Sequence, residues 1–494
     1  MKFWIATRYA LLTLSLLCLF ELYSYGIARN PPGFYLDESA TAYNAWLVSK
    51  GGAGETGSRF PVLFKSFDIQ NANYINPVTI YLMALMFKVV HPSVVAARTF
   101  ATFWMFCACL LLGVLGKRLT GKLVVGIIIA AMALCTPWFF EVGRLVWDAH
   151  FSTFTMVVFL VVLYRAAHKQ SWNWLDIVLL SGSLTLITYG YYSGRILGPL
   201  FALGLLLFAT RKEGLLDVLS VWCLYVFTLW PLMIFNRTHP GELSRRLWEV
   251  TDMKPSATFW SNFDCFIKRY LEDQSLQLLL FTGDVHPRHH VPESGGPMLA
   301  STVAIACAGL FLLCQKHLNQ PWWQFVLYGL AVSIVPGAVT NWPFHELRLM
   351  AYAVFLFLLC ILALDELCVL CPVRFTILGF LLLGLLIQVM YFQEVFWREG
   401  PNREFVFDVP YKTAFDAALA RPERPIYLEN GQWGPAYIHA HWYAATQGQS
   451  QSQFVTVPAG QSAPRGALVL SSNSNCTNCK LINHFGAYVL YTVN

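Results

Sequence analysis

The sequence predicts a polytopic α-helical membrane protein that ends in a small soluble α/β domain. Of its 494 residues, 56% are hydrophobic and only 13% are charged, whereas soluble domains carry about 25% charged residues. Long apolar segments separated by short turns fill most of the chain, but the composition becomes that of a soluble protein after Tyr391. We therefore predict a membrane domain over residues 1–395 and a soluble extracytoplasmic domain over residues 396–494.

The apolar segments predict roughly eleven transmembrane helices, because a helix needs about 20 apolar residues to cross a bilayer. The predicted spans cover residues 9–27, 98–116, 123–140, 151–164, 175–189, 196–209, 215–235, 298–314, 322–339, 349–370 and 375–393. The apolar segment at 77–90 is too short to cross, so we expect an interfacial or re-entrant helix there. In the soluble part, patterns typical of one helix occur at 408–420, and patterns typical of strands at 425–429, 454–457, 467–470 and 488–493.

Basic residues predict the topology, since short cytoplasmic loops are enriched in lysine and arginine. Lys2 and Arg8 precede the first span, and basic clusters such as 117–122 and 211–212 all fall on the inner side if 77–90 does not cross. This pattern predicts a multi-pass protein of the plasma (inner) membrane with a cytoplasmic N-terminus. The net charge of +6 is spread over short loops, so it indicates topology and not nucleic-acid binding.

Acids, histidines and arginines cluster in the loops that this topology places outside. Asp37 and Glu38 follow the first span, where carboxylates are costly near lipid unless water or a function holds them. Further polar clusters occur at Asp148, at 284–290 and at 345–348. Arginine suits the binding of phosphate, and histidines beside an acid also allow a metal site. A site outside has no ATP or nucleotide sugar at hand, so its activated substrate would have to arrive in the lipid.

Several ordered motifs over roughly the first 350 residues resemble GT-C glycosyltransferases. They are Asp37-Glu38, Tyr43-Asn44-Ala45, Gly54-Glu55-Thr56-Gly57, Pro61, Asn76-Pro77, Arg98, Asp148, Gly283-Asp284, Arg288-His289-His290, Gly295-Gly296, His345 and Arg348. The sequence is similar to glycosyltransferase family 39, which is protein mannosyltransferase-like, and to the lipid A aminoarabinose transferases. The C-terminal domain carries no such motif.

The resemblance implies a donor sugar on a polyprenyl phosphate and an acceptor that attacks the sugar C1 with inversion. Such chemistry needs a general base at the acceptor hydroxyl and cations at the leaving phosphate. The resemblance assigns the base to Asp37. It leaves the acceptor open between a lipid, a glycan and a protein, and it leaves a divalent metal ion as a candidate cofactor.

The resemblance also implies a set of substrate-binding residues. They are Glu38, Asp148, Asp284, Arg288, His289, His345 and Arg348. Glu38 and His289 are candidate metal ligands as well. Each position also has a structural interpretation: Asp37 could cap the following helix, Asp148 could pair with Arg144, the 284–290 stretch could be a solvated loop, and Arg348 could snorkel to the interface. Arg195 allows the same two interpretations as Arg348.

Two positions depart from the family pattern. Asn76 stands where the aminoarabinose transferases have a lysine for the donor phosphate, so Lys65 or Arg59 would have to supply that charge, or the phosphate binds elsewhere. His290 stands where the family has asparagine. Outside these motifs, Cys476 and Cys479 have the spacing of a metal or redox pair, but their predicted extracytoplasmic position favours a disulfide.

Two other functions compete with this prediction. A polysaccharide ligase or polymerase would use a pyrophosphate-linked donor, so the identity of the donor would separate it from the transferase. A transporter or flippase for a lipid-linked sugar would carry its functional acids within the spans, often in repeated halves. The acids here lie in predicted outer loops and the sequence shows no repeat, which favours the transferase.

Overall fold

The structure is a computed structural model that describes residues 2–67, 73–369, 371–431, 435–458, 461–473 and 478–494. The first helices are α1 Lys2–Ser24, α2 Leu36–Gly51, α3 Pro77–Phe87, α4 Val94–Thr120, α5 Leu123–Cys135, α6 Pro137–Val142 and α7 Asp148–Ala167. They are followed by α8 Trp174–Gly190, α9 Gly194–Gly204, α10 Lys212–Thr228, α11 Trp230–Thr238, α12 Glu242–Glu249, α13 Phe259–Glu272 and α14 Ala300–Leu312. The last are α15 Pro321–Val332, α16 Val335–Ala338, α17 Met350–Leu367, α18 Pro372–Glu399, α19 Val409–Leu419 and α20 Tyr437–Thr446.

The helices match the predicted polytopic membrane fold. Six helical segments of the described chain are long and apolar enough to cross a membrane: Val94–Thr120, Asp148–Ala167, Lys212–Thr238, Ala300–His317, Met350–Leu367 and Pro372–Arg403. Shorter apolar helices cover Ala10–Ser24, Pro77–Phe87, Leu123–Cys135, Trp174–Gly190 and Gly194–Phe208. Each predicted span falls on one helix or on consecutive helical segments. Helix α3 has 11 residues, which agrees with the expectation that it is too short to cross.

The two ends of the helical bundle differ in chemistry. Near the end of α17, Glu366 pairs with Lys316 at 2.8 Å and with Arg374 at 3.0 Å, so the predicted inner turns meet there. His345 and Arg348 precede the start of the same helix and therefore lie at its opposite end. The bundle thus separates a basic end from an end that carries the candidate site.

The C-terminal part forms a five-stranded mixed sheet, in agreement with the predicted α/β character. A short hairpin pairs β1 Phe64–Ser66 with β2 Asn73–Ile75. The sheet strands are β3 Ile426–Glu429, β4 Phe454–Thr456, β5 Leu468–Ser471, β6 Cys479–Phe485 and β7 Tyr488–Val493, in the order β4-β3-β5-β7-β6. Strand β3 is parallel to β4 and β5, whereas β7 is antiparallel to β5 and β6.

The sheet domain shares an apolar core with the first outer segment of the membrane domain. Helices α2 and α3 pack with α19, α20 and the sheet, and Trp442 stacks on Phe34 with ring centroids 5.4 Å apart. The C-terminal domain therefore packs on the segment of the membrane domain that follows the first span. The domain boundary at residue 395 stays a prediction.

Three expectations from the sequence need correction or completion. Residues 236–297, predicted from the sequence to be a long polar outer loop, contain the amphipathic helices α12 and α13, which the sequence analysis did not predict. The sequence patterns missed α20 and β6 in the C-terminal domain. Cys479 begins β6 and is disulfide-bonded, whereas its predicted partner Cys476 lies outside the described residues, so that pairing stays a prediction.

Candidate active site

A cavity of about 1370 Å³ opens at the end of the bundle that faces the C-terminal domain. Its wall is built from the first turns of α2 and α7, the turn between α8 and α9, helix α12, and the segments that precede α14 and α17. The fold brings six of the predicted site residues to this wall: Asp37, Asp148, Arg288, His289, His345 and Arg348. Glu38 and Asp284 lie behind it.

Asp37 presents a carboxylate to the cavity. Helix α2 begins at Leu36 with Tyr35 as its N-cap, so Asp37 lies in the first turn and does not cap the helix. Among the described residues, none hydrogen-bonds or ion-pairs with its carboxylate. Burial raises the pKa of Asp37 above its ordinary value, and the charges of Arg288 and Arg246 offset this only in part. The group is therefore a cavity-facing carboxylate of increased basicity.

Glu38 is held inside the protein. Its oxygens accept hydrogen bonds from Nε and Nη2 of Arg98 at 3.1 and 2.9 Å, and from the backbone amides of Tyr35 and Val146 at 2.9 and 3.1 Å. Both charged side chains are fully buried. This arrangement uses both carboxylate oxygens, so the structure supports a structural role for Glu38 and not the expected contact with substrate or metal.

Asp148 is the first residue of α7, and its expected partner Arg144 points elsewhere. Arg144 donates instead to the backbone carbonyls of Tyr23 and Tyr25 at 2.7 and 3.0 Å. Asp148 Oδ2 accepts a hydrogen bond from Asn76 Nδ2 at 3.1 Å, while its buried Oδ1 has no hydrogen-bond partner in the described chain. The second acid of the cavity therefore keeps one oxygen available.

Asn76 links Asp148 to a cation. Its Oδ1 accepts a hydrogen bond from Arg195 Nη2 at 2.9 Å, and the Arg195 guanidinium stacks over the ring of Tyr192. Arg195 lines the cavity, whereas Lys65 and Arg59, the expected substitutes for the family lysine, are not part of its wall. The positive charge beside position 76 thus comes from Arg195.

Asp284 supports the histidines of the cavity wall. Its Oδ2 accepts from His289 Nδ1 at 2.7 Å and from the amide of Glu346 at 3.1 Å. Burial alone would raise the pKa of Asp284, but His289, His345 and the amide of His286 outweigh it and hold the pKa well below its usual range. Asp284 therefore stays ionised and acts on the cavity through His289.

Asp284, His289 and His345 could together hold a divalent metal ion. One potential ligand atom from each lies within 4.8 Å of the others. Burial and the nearby Arg348 charge lower the pKa of His345 well below its ordinary value, so its ring is neutral, as a ligand must be. His345 Nδ1 is buried and makes no hydrogen bond in the described chain. The donor set fits a metal, with the Asp284–His289 hydrogen bond given up on binding.

His290, the second departure from the family pattern, is buried away from the cavity. Its Nδ1 lies 3.1 Å from Glu141 and 3.4 Å from Glu346, and its Nε2 bonds the carbonyl of Gly295 at 2.6 Å. Burial disfavours its charge, yet the two glutamates raise the pKa of His290 to about 10. It is an internal cation beside Glu141 and Glu346, and burial raises the pKa of Glu346 to about 8, so that acid favours its neutral form.

The cavity wall carries four arginines. Arg288 stacks on Tyr35 with its guanidinium carbon 4.2 Å from the ring centroid, and Arg348 has a buried Nη1 with no hydrogen bond in the described chain. Arg195 and Arg246 complete the set. Arg246 was not among the site residues predicted from the sequence, which placed it in a long polar outer loop. The spacing of Leu243 and Leu247 on α12 would have revealed the amphipathic character of that helix.

The described chain combines an apolar helical bundle, a cavity of acids, histidines and arginines at one end, and a small C-terminal sheet domain. The solved structures below share this fold, which confirms the predicted fold class. No family model and no curated protein matches the sequence. Among solved structures, the chain is similar to ArnT from Cupriavidus metallidurans bound to undecaprenyl phosphate, with 11% identity, a TM-score of 0.60 and 98% of both chains covered. It is also similar to the apo state of that protein, with 12% identity and a TM-score of 0.59 over 99% of this chain and 98% of the other.

Proposed function

We propose that the protein is a glycosyltransferase that moves a sugar from a polyprenyl-phosphate donor to a hydroxyl of a lipid, glycan or protein acceptor. Transfer inverts the configuration at C1 and takes place at the extracytoplasmic face of the plasma membrane. The observation that carries the proposal is the Asp37 carboxylate, which has no protein partner among the described residues and faces a cavity lined by arginines. A base and cations in one enclosed space are what this reaction requires.

The reaction follows from these groups. Asp37 accepts the proton of the acceptor hydroxyl as its oxygen forms a bond to C1 of the donor sugar. The bond between C1 and the phosphate oxygen breaks, and the electron pair leaves with the polyprenyl phosphate. Arg288 and Arg348 neutralise the developing charge, because a guanidinium binds phosphate oxygens with good geometry. A phosphate is a good leaving group, so the step needs no strong general acid.

The apolar part of the cavity wall suits the polyprenyl chain. Pro199, Leu229, Leu232, Met233 and Val339 line the side formed by α9, α11 and the segment after α16. The similar ArnT structure was solved with undecaprenyl phosphate bound, which supports the same class of lipid here. The basic end of the bundle would face the cytoplasm, so the cavity and the C-terminal domain would face outward.

The test is the Asp37→Asn variant in membranes supplied with polyprenyl-phosphate sugars. We expect normal expression and unfolding, because the Asp37 carboxylate has no protein partner among the described residues, and a loss of transfer by roughly 10²–10⁴-fold, the usual contribution of a general base. Asp264→Asn, an exposed acid on α13, is the matched control and should transfer normally. Normal turnover by Asp37→Asn would exclude the proposed role, and turnover only with a pyrophosphate-linked donor would favour the ligase or polymerase.

A further inference from the structure

The first turn of α2 is bonded to the C-terminal domain through a buried histidine. Ser39 lies two residues after Asp37, and its hydroxyl is hydrogen-bonded to Nδ1 of His439 on α20 at an Oγ–Nδ1 distance of 2.8 Å. Both residues are fully buried. Some 400 residues separate them in the chain, so the bond joins the candidate base helix to the sheet domain.

The other side of the His439 ring is also held by that domain. Nε2 lies 3.3 Å from Oδ2 of Asp408, the residue that precedes α19. Asp408 Oδ1 in turn accepts a hydrogen bond from the hydroxyl of Tyr488 on β7 at 2.7 Å. Although Nε2 makes no hydrogen bond in the described chain, the nearby carboxylate favours the ring proton on Nε2, which leaves Nδ1 to accept from Ser39. Tyr488, Asp408, His439 and Ser39 therefore form a chain of polar contacts from the sheet to α2.

The backbone before α2 is fixed by the same domain. The amide of Phe34 donates to the carbonyl of Phe407 at 2.9 Å. Gly33 has a φ of +56°, and a Cβ there would lie 2.2 Å from the Phe407 oxygen, so a side chain is excluded. The membrane domain holds the turn from the other side, through the bond of Arg98 to Glu38. Asp37 lies between these two attachments.

We propose that the C-terminal domain completes the active site, with His439 as a positioning residue that fixes the first turn of α2, and thereby Asp37, through Ser39. Without His439, the Ser39 hydroxyl would bond the carbonyl of Tyr35, four residues back, which bends a helix. The inference rests on the proposed function only where it concerns catalysis. A displacement of about 1 Å in a reacting group can lower a rate by roughly 10²-fold, so a small change in this turn affects turnover.

Variants at His439 separate the two contacts of its ring. His439→Asn keeps a polar atom near the Nδ1 position and retains the bond to Ser39, whereas His439→Gln reaches the Nε2 position and retains only the contact with Asp408. Ser39→Ala removes the bond from the other side. Tyr491→Phe is the matched control, since it removes a hydrogen bond of 2.9 Å to Glu429 inside the sheet and touches no part of α2.

The first measurement is hydrogen–deuterium exchange at the amides of residues 37–41 in the full-length protein. We expect faster exchange in Ser39→Ala and His439→Gln, and exchange as in the unaltered protein for His439→Asn and Tyr491→Phe. This measurement does not depend on activity. Unchanged exchange in both Ser39→Ala and His439→Gln would overturn the coupling, and so would equal acceleration in the Tyr491→Phe control.

The second measurement is steady-state transfer. Ser39→Ala and His439→Gln should lower kcat by about 10- to 100-fold with little change in the donor KM, and the double variant should lose no more than either single variant. The positioning role would be overturned if kcat equals that of the unaltered protein. It would also be overturned if transfer falls only because the variants are less stable. If the unaltered protein transfers no sugar, the proposed function fails, while the exchange data still decide the coupling.

Discussion

Replacement of Glu38 by glutamine should destabilise the protein far more than it changes the chemistry of the folded site. Each oxygen of Glu38 accepts two hydrogen bonds, one from Arg98 and one from a backbone amide. In Glu38→Gln one oxygen becomes an NH₂ group, so two donors lose their acceptor and the buried guanidinium loses its counter-charge. The loss of one partner from a buried ion pair costs about 3–5 kcal/mol, and the loss of two bonds to charged groups gives a similar sum.

The assay is equilibrium unfolding in mixed micelles, with Glu366→Gln as the control. Glu366 forms a pair with Lys316 in which the side chains are 39% and 50% exposed, so its loss should cost about 0–1 kcal/mol. Adding Arg98→Met to Glu38→Gln should recover part of the stability, because the uncompensated charge is removed. If Glu38→Gln unfolds within about 1 kcal/mol of the unaltered protein and still loses transfer, the structural assignment of Glu38 is wrong and the residue acts on substrate.

The remaining predictions concern the cavity wall. Because the pKa of Asp37 is raised, kcat/KM should fall with decreasing pH at a higher pH than for an ordinary aspartate, as the base becomes protonated. A fall centred near pH 4, the ordinary value for aspartate, would contradict this. Arg288→Ala should lower kcat/KM by about 10- to 150-fold, equivalent to one charge-assisted bond of about 1.5–3 kcal/mol. Arg245 lies outside the cavity wall, so Arg245→Ala should leave kcat/KM unchanged. The same kcat/KM for the two variants would contradict the contact of Arg288 with the phosphate. Asp148→Asn should preserve the unfolding curve, since Asn76 can still pair with an amide, yet lower initial rates at least about tenfold; full activity would show that its available oxygen has no role in transfer.

The parts of the fold that the sequence predicted are those set by local pattern. An apolar run of sufficient length forms a helix in lipid whatever its neighbours are, because all backbone groups must be bonded within the segment. The alternation in β3 follows from burial of one face, whereas β7 is buried on both faces over its first four residues. Helix α20 escaped prediction because His439, His441 and Trp442 mix polar and apolar character on faces that only the packed domain defines. Strand β6 is an exposed edge, so no apolar pattern marks it.

Contacts between distant residues explain what the sequence could not predict about the site. The substitution at Asn76 looked like the loss of a cation, yet Arg195, 119 residues away, supplies one through a hydrogen bond. From the sequence, the departure at His290 had no assigned role. In the structure this residue lies between Glu141 and Glu346, which come from separate segments. The polar partners of Asn76 and His290 are brought close by helix packing, which the position of these residues in the sequence does not predict.

The adjacent acids at the start of α2 show this limit most directly. Successive residues on an α-helix point about 100° apart, so Asp37 and Glu38 cannot both face the same space. The sequence assigned the base to Asp37 and left Glu38 open between a contact with substrate or metal and a structural role. Helix α4 places Arg98 against Glu38, and the sheet domain holds Ser39, in the same first turn, on the side away from Asp37. Asp37 is thus the acid of the pair that faces the cavity, because its two neighbours are bonded to other parts of the chain.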